Sequence, residues 1–308
     1  MELRHLRYFV AVADELHLTR AAAKLGMAQP PLTQQIKALE RELGVALFRR
    51  SGRGVVLTNA GAIFLGEAKA ILERVAAAAR KAKDAGLGVI GRLSVGFTES
   101  ASFHPLVTQA LQAFQLAYPD VELSLREAPS TDLISAIASD ALDLAFVRPP
   151  YPTHPAVFSE PLADEAMVAA LPITHPLAAR KSLRLEALAG ERFILYPRAI
   201  RPGLSDEIVE ACRSCGFEPK VVQEAPQLSS TINLVATGMG VSIVPDGMRH
   251  VRARDVRYVP FQGLPVKAHL ALAGRAKTPS PLTANFRQTL LGLVSRQPDQ
   301  DGPVLVAG

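Results

Sequence analysis

Over residues 1–86 the apolar positions recur every three or four residues, the period of helices that bury one face. Leu3, Leu6, Phe9, Val10 and Ala13 keep this spacing, with Arg4, Arg7 and Asp14 on the other side. Thr19 is placed to cap a second short helix, TRAAAKLG, that stops at Gly26. A third helix is expected from about Gln29 through PPLTQQIKALEREL to Gly44. Pro30 and Pro31 fall in its first turn, where a missing N–H removes no helical hydrogen bond. LFRRSGRGVVLT then reads as a small β-hairpin around Ser51-Gly52-Arg53-Gly54. Thr58 caps a long alanine-rich helix, roughly 40 Å if it extends to Asp84. Its apolar stripe, Phe64, Ile71, Leu72, Val75 and Ala79, is longer than so small a domain can cover. A second copy of the same helix is the simplest partner, so residues 59–90 are expected to form a linker and dimerisation helix with a hinge.

Near Gly86 the rhythm changes. Apolar strand-like runs now alternate with helical stretches: RLSVGF (92–97), VELSLRE (121–127), LDLAFVR (142–148), EAMVAALP (165–172), RFILYP (192–197), KVVQEA (220–225), VSIVP (241–245) and AHLALAG (268–274). Pro105–Ala117 and Ser205–Cys215 are two of the intervening helices. Such alternation predicts α/β units on largely parallel sheets. Breaks near 160 and 267 suggest two subdomains, 91–162 plus 268–296 and 163–267, joined by two crossing strands. The tail QPDQDGPVLVAG (297–308) has no periodicity and is expected to be loose.

Charge changes the picture for the helical segment. Residues 1–86 carry 14 Lys or Arg against 8 Asp or Glu, whereas the remainder carries 20 against 21. A basic head on a near-neutral body suggests an anionic partner for the head, although a solvated basic face would read the same way. No apolar run approaches the length needed to span a bilayer, and the opening MELRHLRYFVAVADEL is not a signal peptide. With Cys212 and Cys215 as the only cysteines, a cytoplasmic protein without membrane contact is expected.

Helix, turn, helix and hairpin in this order suit a DNA reader whose second helix enters the major groove. Gln29, Thr33, Gln34 and Lys37 project from the early turns of that helix, and Arg49, Arg50 and Arg53 from the hairpin could reach phosphates or the minor groove. The stretch from LRHLRYFVAVADEL through AQPPLTQQIKALE, the LF-R-R pair and the T-x-x-G at 58–61 resembles the N-terminal domain of LysR-type transcriptional regulators. The similarity continues through the GF of 96–97, LDLAFVR, THPLA at 174–178 and GMGVSIVP. Within the family, MELRHLRYFVAVA, AQPP and LYP at 195–197 look most like the subgroup that controls aromatic catabolism, whose members respond to benzoate, muconate and related acids.

The resemblance implies an N-terminal all-α winged helix-turn-helix (1–58) and a C-terminal α/β effector domain similar to periplasmic solute-binding proteins. It further implies a double-stranded DNA operator, a small organic acid as effector, homodimers assembling to tetramers, and contact with RNA polymerase. Carried over by position, Gln29, Pro30, Pro31, Thr33 and Gln34 fall on the recognition helix, and Arg50 and Arg53 on the wing. One departure is Gln34, where relatives in the subgroup often have arginine. A changed phosphate contact or guanine preference would follow.

A cleft between α/β subdomains receives ligands at strand ends and helix N-termini, where backbone N–H groups welcome an anion. Ser100 and Ser102 follow strand RLSVGF, Ser130 and Thr131 precede a helix, and Arg148 ends LDLAFVR. The resemblance places Ser100 and Ser130 on the effector carboxylate, with Pro202 and Leu204 on a nearby wall. Each hydroxyl alone is equally well explained as a helix cap. Some relatives use an arginine near the second crossover for another effector pocket. That position is Ala163 here, although Glu165 retains its match, so one effector site per subunit is expected.

Two further patterns lack the context their chemistry needs. Gly86-Leu-Gly88-Val-Ile-Gly91 matches GxGxxG but follows a helix and precedes a strand, so a hinge is the better reading. Cys212-Arg-Ser-Cys215 has no second pair or neighbouring histidine to complete a zinc site. No nucleophile–base pair, metal set or phosphate loop is visible, so neither an enzyme nor a cofactor is expected. The alternative function is a cytoplasmic small-molecule-binding module whose helical head only dimerises.

Overall fold

The computed structural model describes residues 1–52, 54–197, 202–251, 253–263, 266–277 and 279–295. Arg53 and the 297–308 tail lie outside these, as do the side chains of Pro202 and Gly203. The chain forms two compact units, Met1–Gly86 and Leu87–Gly308.

In the first unit α1 (Leu3–Glu15), α2 (Leu18–Lys24) and α3 (Gln29–Leu43) precede a hairpin, β1 (Phe48–Ser51) and β2 (Gly54–Leu57), and then α4 (Asn59–Gly86). The apolar faces of the helices meet in one core of Leu6, Phe9, Val12, Leu32, Ile36, Leu39 and Leu47. Phe9 sits at its centre, with ring centroids 5.2 Å from Phe48 and 5.0 Å from Phe64. Thr19 does not cap α2. That helix begins one residue earlier, at Leu18, with His17 in the cap position and no side-chain bond. Leu16 ends α1 in a left-handed conformation, His17 is extended, and the chain is already helical at Leu18, which places Thr19 inside the first turn.

Local hydrogen bonds fix the hairpin. The Glu40 carboxylate accepts from the Leu47 and Phe48 N–H groups at 2.8 and 3.0 Å. Thr58 caps α4, its Oγ1 accepting the Gly61 N–H at 3.0 Å while donating to the Ala46 carbonyl at 2.7 Å. Gly61 permits this closeness: a Cβ there would stand 2.0 Å from the Leu47 carbonyl oxygen. The stripe on α4 divides between uses. Phe64, Leu65, Ala68 and Leu72 pack into the unit's own core, whereas Ile63 and Ile71 remain 66% and 38% exposed.

The second unit begins with β3 (Gly91–Phe97), the single turn α5 (Glu99–Ser102), α6 (Pro105–Ala117), β4 (Val121–Glu127), α7 (Ser130–Ala138) and β5 (Leu144–Val147). The strand β6 (Val157–Pro172) then leads to β7 (Arg192–Leu195), α8 (Pro202–Ser214), β8 (Lys220–Glu224), α9 (Leu228–Ala236), β9 (Ser242–Pro245) and β10 (Val256–Pro260). The chain returns on β11 (Lys267–Arg275) and ends in α10 (Pro281–Val294). The sheet order is β10-β6-β11-β5-β3-β4, with β9 also on β6, and β7-β8 pair separately.

The expected parallel pairing holds only away from the crossing: β4-β3-β5 and β7-β8 are parallel, but β6, β9, β10 and β11 pair antiparallel. The reason is topological. The chain leaves along β6 and returns beside it on β11, so the two run in opposite directions from Val157↔Arg275 to Ala166↔Lys267. The first half of β6, VFSEPLAD, has Ser, Glu and Pro interrupting its apolar positions and so gave no strand signal. β10, VRYVP, is a further strand on β6 that the apolar runs do not mark, its Val positions being broken by Arg257 and closed by Pro260.

Each subdomain has its own core. Leu93, Val95, Phe114, Phe146 and Phe286 fill one, and Phe193, Ile194, Tyr196, Ile232 and Val244 the other. Cys212 belongs to the second core as a free thiol, and burial pushes its pKa up to about 12. The glycine-rich link runs from the end of α4 into β3, and Asn285 Nδ2 donates to the Leu87 and Gly88 carbonyls at 3.0 and 3.1 Å.

Replacing Gly61 by Ala forces the start of α4 away from Leu47. The expected loss is about 1–3 kcal/mol of stability in the N-terminal unit, read as a lower midpoint in urea denaturation monitored by circular dichroism.

Candidate functional site

α3 buries Leu32, Ile36 and Leu39 and leaves the intervening positions outside. Gln29, Pro30, Pro31, Gln34 and Lys37 are all exposed, and Thr33 is partly so. Gln29 Nε2 donates to Thr33 Oγ1, which donates in turn to the Gln29 carbonyl, both at 3.0 Å. This ties the two side chains together on the first turn. Arg41, one turn beyond Lys37, is a further exposed cation on the same row. On β1, Arg49 and Arg50 are exposed on adjacent, oppositely directed positions. Arg53 lies outside the described residues.

Within the second unit a cavity of about 350 Å³ opens between the two subdomains. One wall carries Ser100, Ser130 and Thr131, Arg148 lies beside them, and Leu204 and Gln227 come from the opposite subdomain. Five of the seven expected effector residues thus meet here. Ser102 does not line the cavity: its hydroxyl turns back to the Glu99 carbonyl at 2.6 Å, which the one-turn helix α5 makes available. The Pro202 side chain lies outside the described residues, although its backbone opens α8.

α7 begins at the cavity with Pro129 in its cap position and no side-chain cap. Its first N–H groups, on Ser130 and Thr131, meet no acceptor among the described residues. They therefore offer an anion-binding corner next to the Ser130 and Ser100 hydroxyls. Ser130 Oγ is held in place by the backbone of Arg148, accepting its N–H at 3.1 Å and donating to its carbonyl at 3.3 Å.

Arg148 behaves as a brace. Its Nε donates to Ser100 Oγ at 2.8 Å, Nη1 to the Ala268 carbonyl at 3.0 Å, and Nη2 to the Ser100 carbonyl at 3.1 Å and Glu165 Oε2 at 2.5 Å. The two charged side chains are only 9% and 6% exposed. Glu165 uses its other oxygen to accept the Gly247 N–H at 2.5 Å, from the turn after β9. Ala163, nearby on β6, pairs with Leu270 of β11. Beside the ion pair, His104 Nδ1 accepts the Leu106 N–H at 3.2 Å. Burial holds the His104 pKa below the usual histidine range, with Glu165 opposing and Arg148 reinforcing the shift.

Glu99 was not anticipated from sequence. Its carboxylate crosses the cavity to the N-terminus of α9, accepting from Leu228 N at 2.7 Å and from Ser229 N and Ser229 Oγ at 3.1 Å. An acid two residues after a strand is an ordinary helix-start signal, and nothing local reveals that it caps a different helix.

Comparison with known proteins settles the family. Residues 3–62 match the model of bacterial regulatory helix-turn-helix proteins of the lysR family, and residues 87–294 match the LysR substrate binding domain. The chain belongs to the LysR family. It is 40% identical over 275 residues to the HTH-type transcriptional regulator BudR of Raoultella terrigena, covering 89% of this chain and 95% of that protein. It is 34% identical over 299 residues to a probable cat1 operon transcriptional activator of Acinetobacter lwoffii, covering 97% and 98% of the respective chains. A crystal structure of full-length CbnR complexed with its target DNA matches with a TM-score of 0.84 and 28% identity, over 96% of this chain and 100% of that one. This LysR-family chain is therefore a DNA-binding transcriptional regulator with an α/β effector domain, and not an enzyme. Among the described residues no helix is long and apolar enough to cross a membrane.

Two outcomes follow from the buried pair and its neighbour. Arg148→Met strands the Glu165 carboxylate out of water, and the expected loss is about 3–5 kcal/mol in denaturant unfolding of the effector domain. His104 is kept neutral in the folded chain but titrates near 6.5 once unfolded. Its contribution is therefore complete above about pH 6.5 and declines as pH falls below it. His104→Asn, which can still accept the Leu106 N–H, should flatten that acid limb in urea midpoints measured across pH.

Proposed function

We propose that this regulator is an effector-responsive activator of a catabolic operon, switched in the cytoplasm by a small aromatic or muconate-type acid. The observation that carries the reading is the cavity of about 350 Å³ with Ser100, Ser130 and Thr131 at one end. Its size suits a small organic molecule. Its wall of Pro129, Pro149, Pro150 and Tyr151 suits a flat apolar body, and the start of α7 suits a carboxylate. The activator role is supported by the name of the Acinetobacter relative.

On the DNA side, Gln29, Pro30, Pro31, Thr33, Gln34 and Lys37 face the major groove, while Arg50 and Arg53 of the wing contact the backbone or minor groove. The exposed Ile63 and Ile71 of α4 support a homodimer through that helix, with dimers pairing to tetramers. An effector that prefers one closure of the cleft changes subunit packing and hence the spacing of the DNA-reading heads. RNA polymerase is then met differently at the promoter.

Nuclease footprinting upstream of the chain's own gene, with and without aromatic acids and muconates, tests this directly. A protected dyad whose footprint shifts with one acid is expected, and no response to any acid would overturn the effector class. Lys37→Ala and Arg50→Ala should each lower the salt dependence of binding by about one counterion. Gln34→Ala should instead relax sequence preference, by about 1–3 kcal/mol at one position.

A further inference from the structure

We infer that Glu99 sets the charge of the effector, so that the cavity takes one carboxylate and rejects a second. The inference rests on the acid-binding reading above and adds which acids qualify.

Two helix N-termini face the same cavity from opposite walls. α7 presents Ser130 and Thr131 on one side, and α9 presents its cap residue Gln227 on the other. Each is nine residues long, and the first N–H groups of each have no partner within their own helix. A rod-like dicarboxylate lying across the cleft would place one charge at each. The second position is already filled. Glu99 extends from the α5 wall and seats both carboxylate oxygens on α9, one on Leu228 N and the other on Ser229 N and Ser229 Oγ. The first N–H groups of α9 thus receive an internal anion, while those of α7 face the cavity.

An incoming second carboxylate would either meet the Glu99 carboxylate at close range or have to displace it from the Leu228 and Ser229 donors. Both penalties are selective. A monocarboxylate anchored at α7 directs its apolar end toward α9 and avoids them. Ser100, adjacent to Glu99 in sequence, keeps the carboxylate-facing hydroxyl on the α7 side through its bond to Arg148 Nε.

The test is titration calorimetry on the full-length protein with benzoate and with cis,cis-muconate, for the native chain, Glu99→Gln and Glu99→Ala. The native chain should favour benzoate by about tenfold or more, and both variants should shift the ratio toward muconate by a similar factor. Gln keeps the size and an accepting oxygen, so its shift isolates charge from packing. Hydrogen exchange of the peptide spanning residues 226–236 supplies an independent readout: Glu99→Ala should speed exchange at the start of α9. A native chain that prefers muconate, or a ratio unmoved by Glu99→Gln, overturns the selectivity while leaving acid binding intact. Failure of every protein to bind either acid removes the acid-effector reading and the selectivity with it. Unchanged exchange in Glu99→Ala would show that Glu99 does not hold α9, which also overturns the inference.

Discussion

The guanidinium of Arg148 and the carboxylate of Glu165 meet where both are almost wholly removed from water, and the effector domain is arranged around keeping them satisfied. A buried charge left without partners is severely destabilising, so each donor and acceptor of the pair dictates where a neighbouring segment lies. Arg148 fixes the Ser100 hydroxyl and carbonyl, the Ala268 carbonyl and, through its backbone, the Ser130 hydroxyl. Glu165, across the cleft from Arg148, is anchored in its own subdomain by the Gly247 N–H. The polar end of the cavity is therefore a by-product of charge satisfaction: the hydroxyls that face it stand where the ion pair holds them. This gives Arg148 a different role from the one expected of a cation at a strand end, since its planar fork organises the anion corner through other groups.

The DNA-reading unit follows a simpler logic. Its core is small and built from the buried faces of regular helices, with Phe9 between Phe48 and Phe64 linking the first helix to hairpin and long helix. The exposed face of α3 is what remains after Leu32, Ile36 and Leu39 are buried. Glu40 and Thr58 then lock the hairpin by hydrogen bonds to backbone groups that would otherwise lack partners. The arginines of β1 owe their exposure to a strand with little of its surface covered.

This difference explains what could be read from sequence. Amphipathic periods, the proline-led start of α3, the glycine after it and the Thr58 cap are local signals, and the helices of the first unit stand out from them alone. Thr19 misled because α2 begins at Leu18 behind His17, a cap residue with no side-chain bond and so no sequence signal. In the second unit Ser100, Ser130 and Thr131 were legible because strand-to-helix junctions collect at one end of such sheets. Ser102 carried the same signal yet bonds to its own turn. Glu99 was illegible for a physical reason: its partners, Leu228 and Ser229, lie about 130 residues away and meet it only once the chain has crossed and returned. The mixed sheet followed from the same crossing, which no window of neighbouring residues contains.

The pairing of β6 with β11 runs without interruption except for one register shift, between Leu270 and Ala271. Along most of its length this ribbon resists shear, because sliding one strand past the other would break a whole ladder of hydrogen bonds at once. Bending at the irregular step breaks few. Rocking one half of the effector domain against the other about that step would therefore cost the ribbon less than sliding its strands. The occupied and empty cleft should differ in angle and hardly at all in register, so a ligand signal would leave the domain as torque.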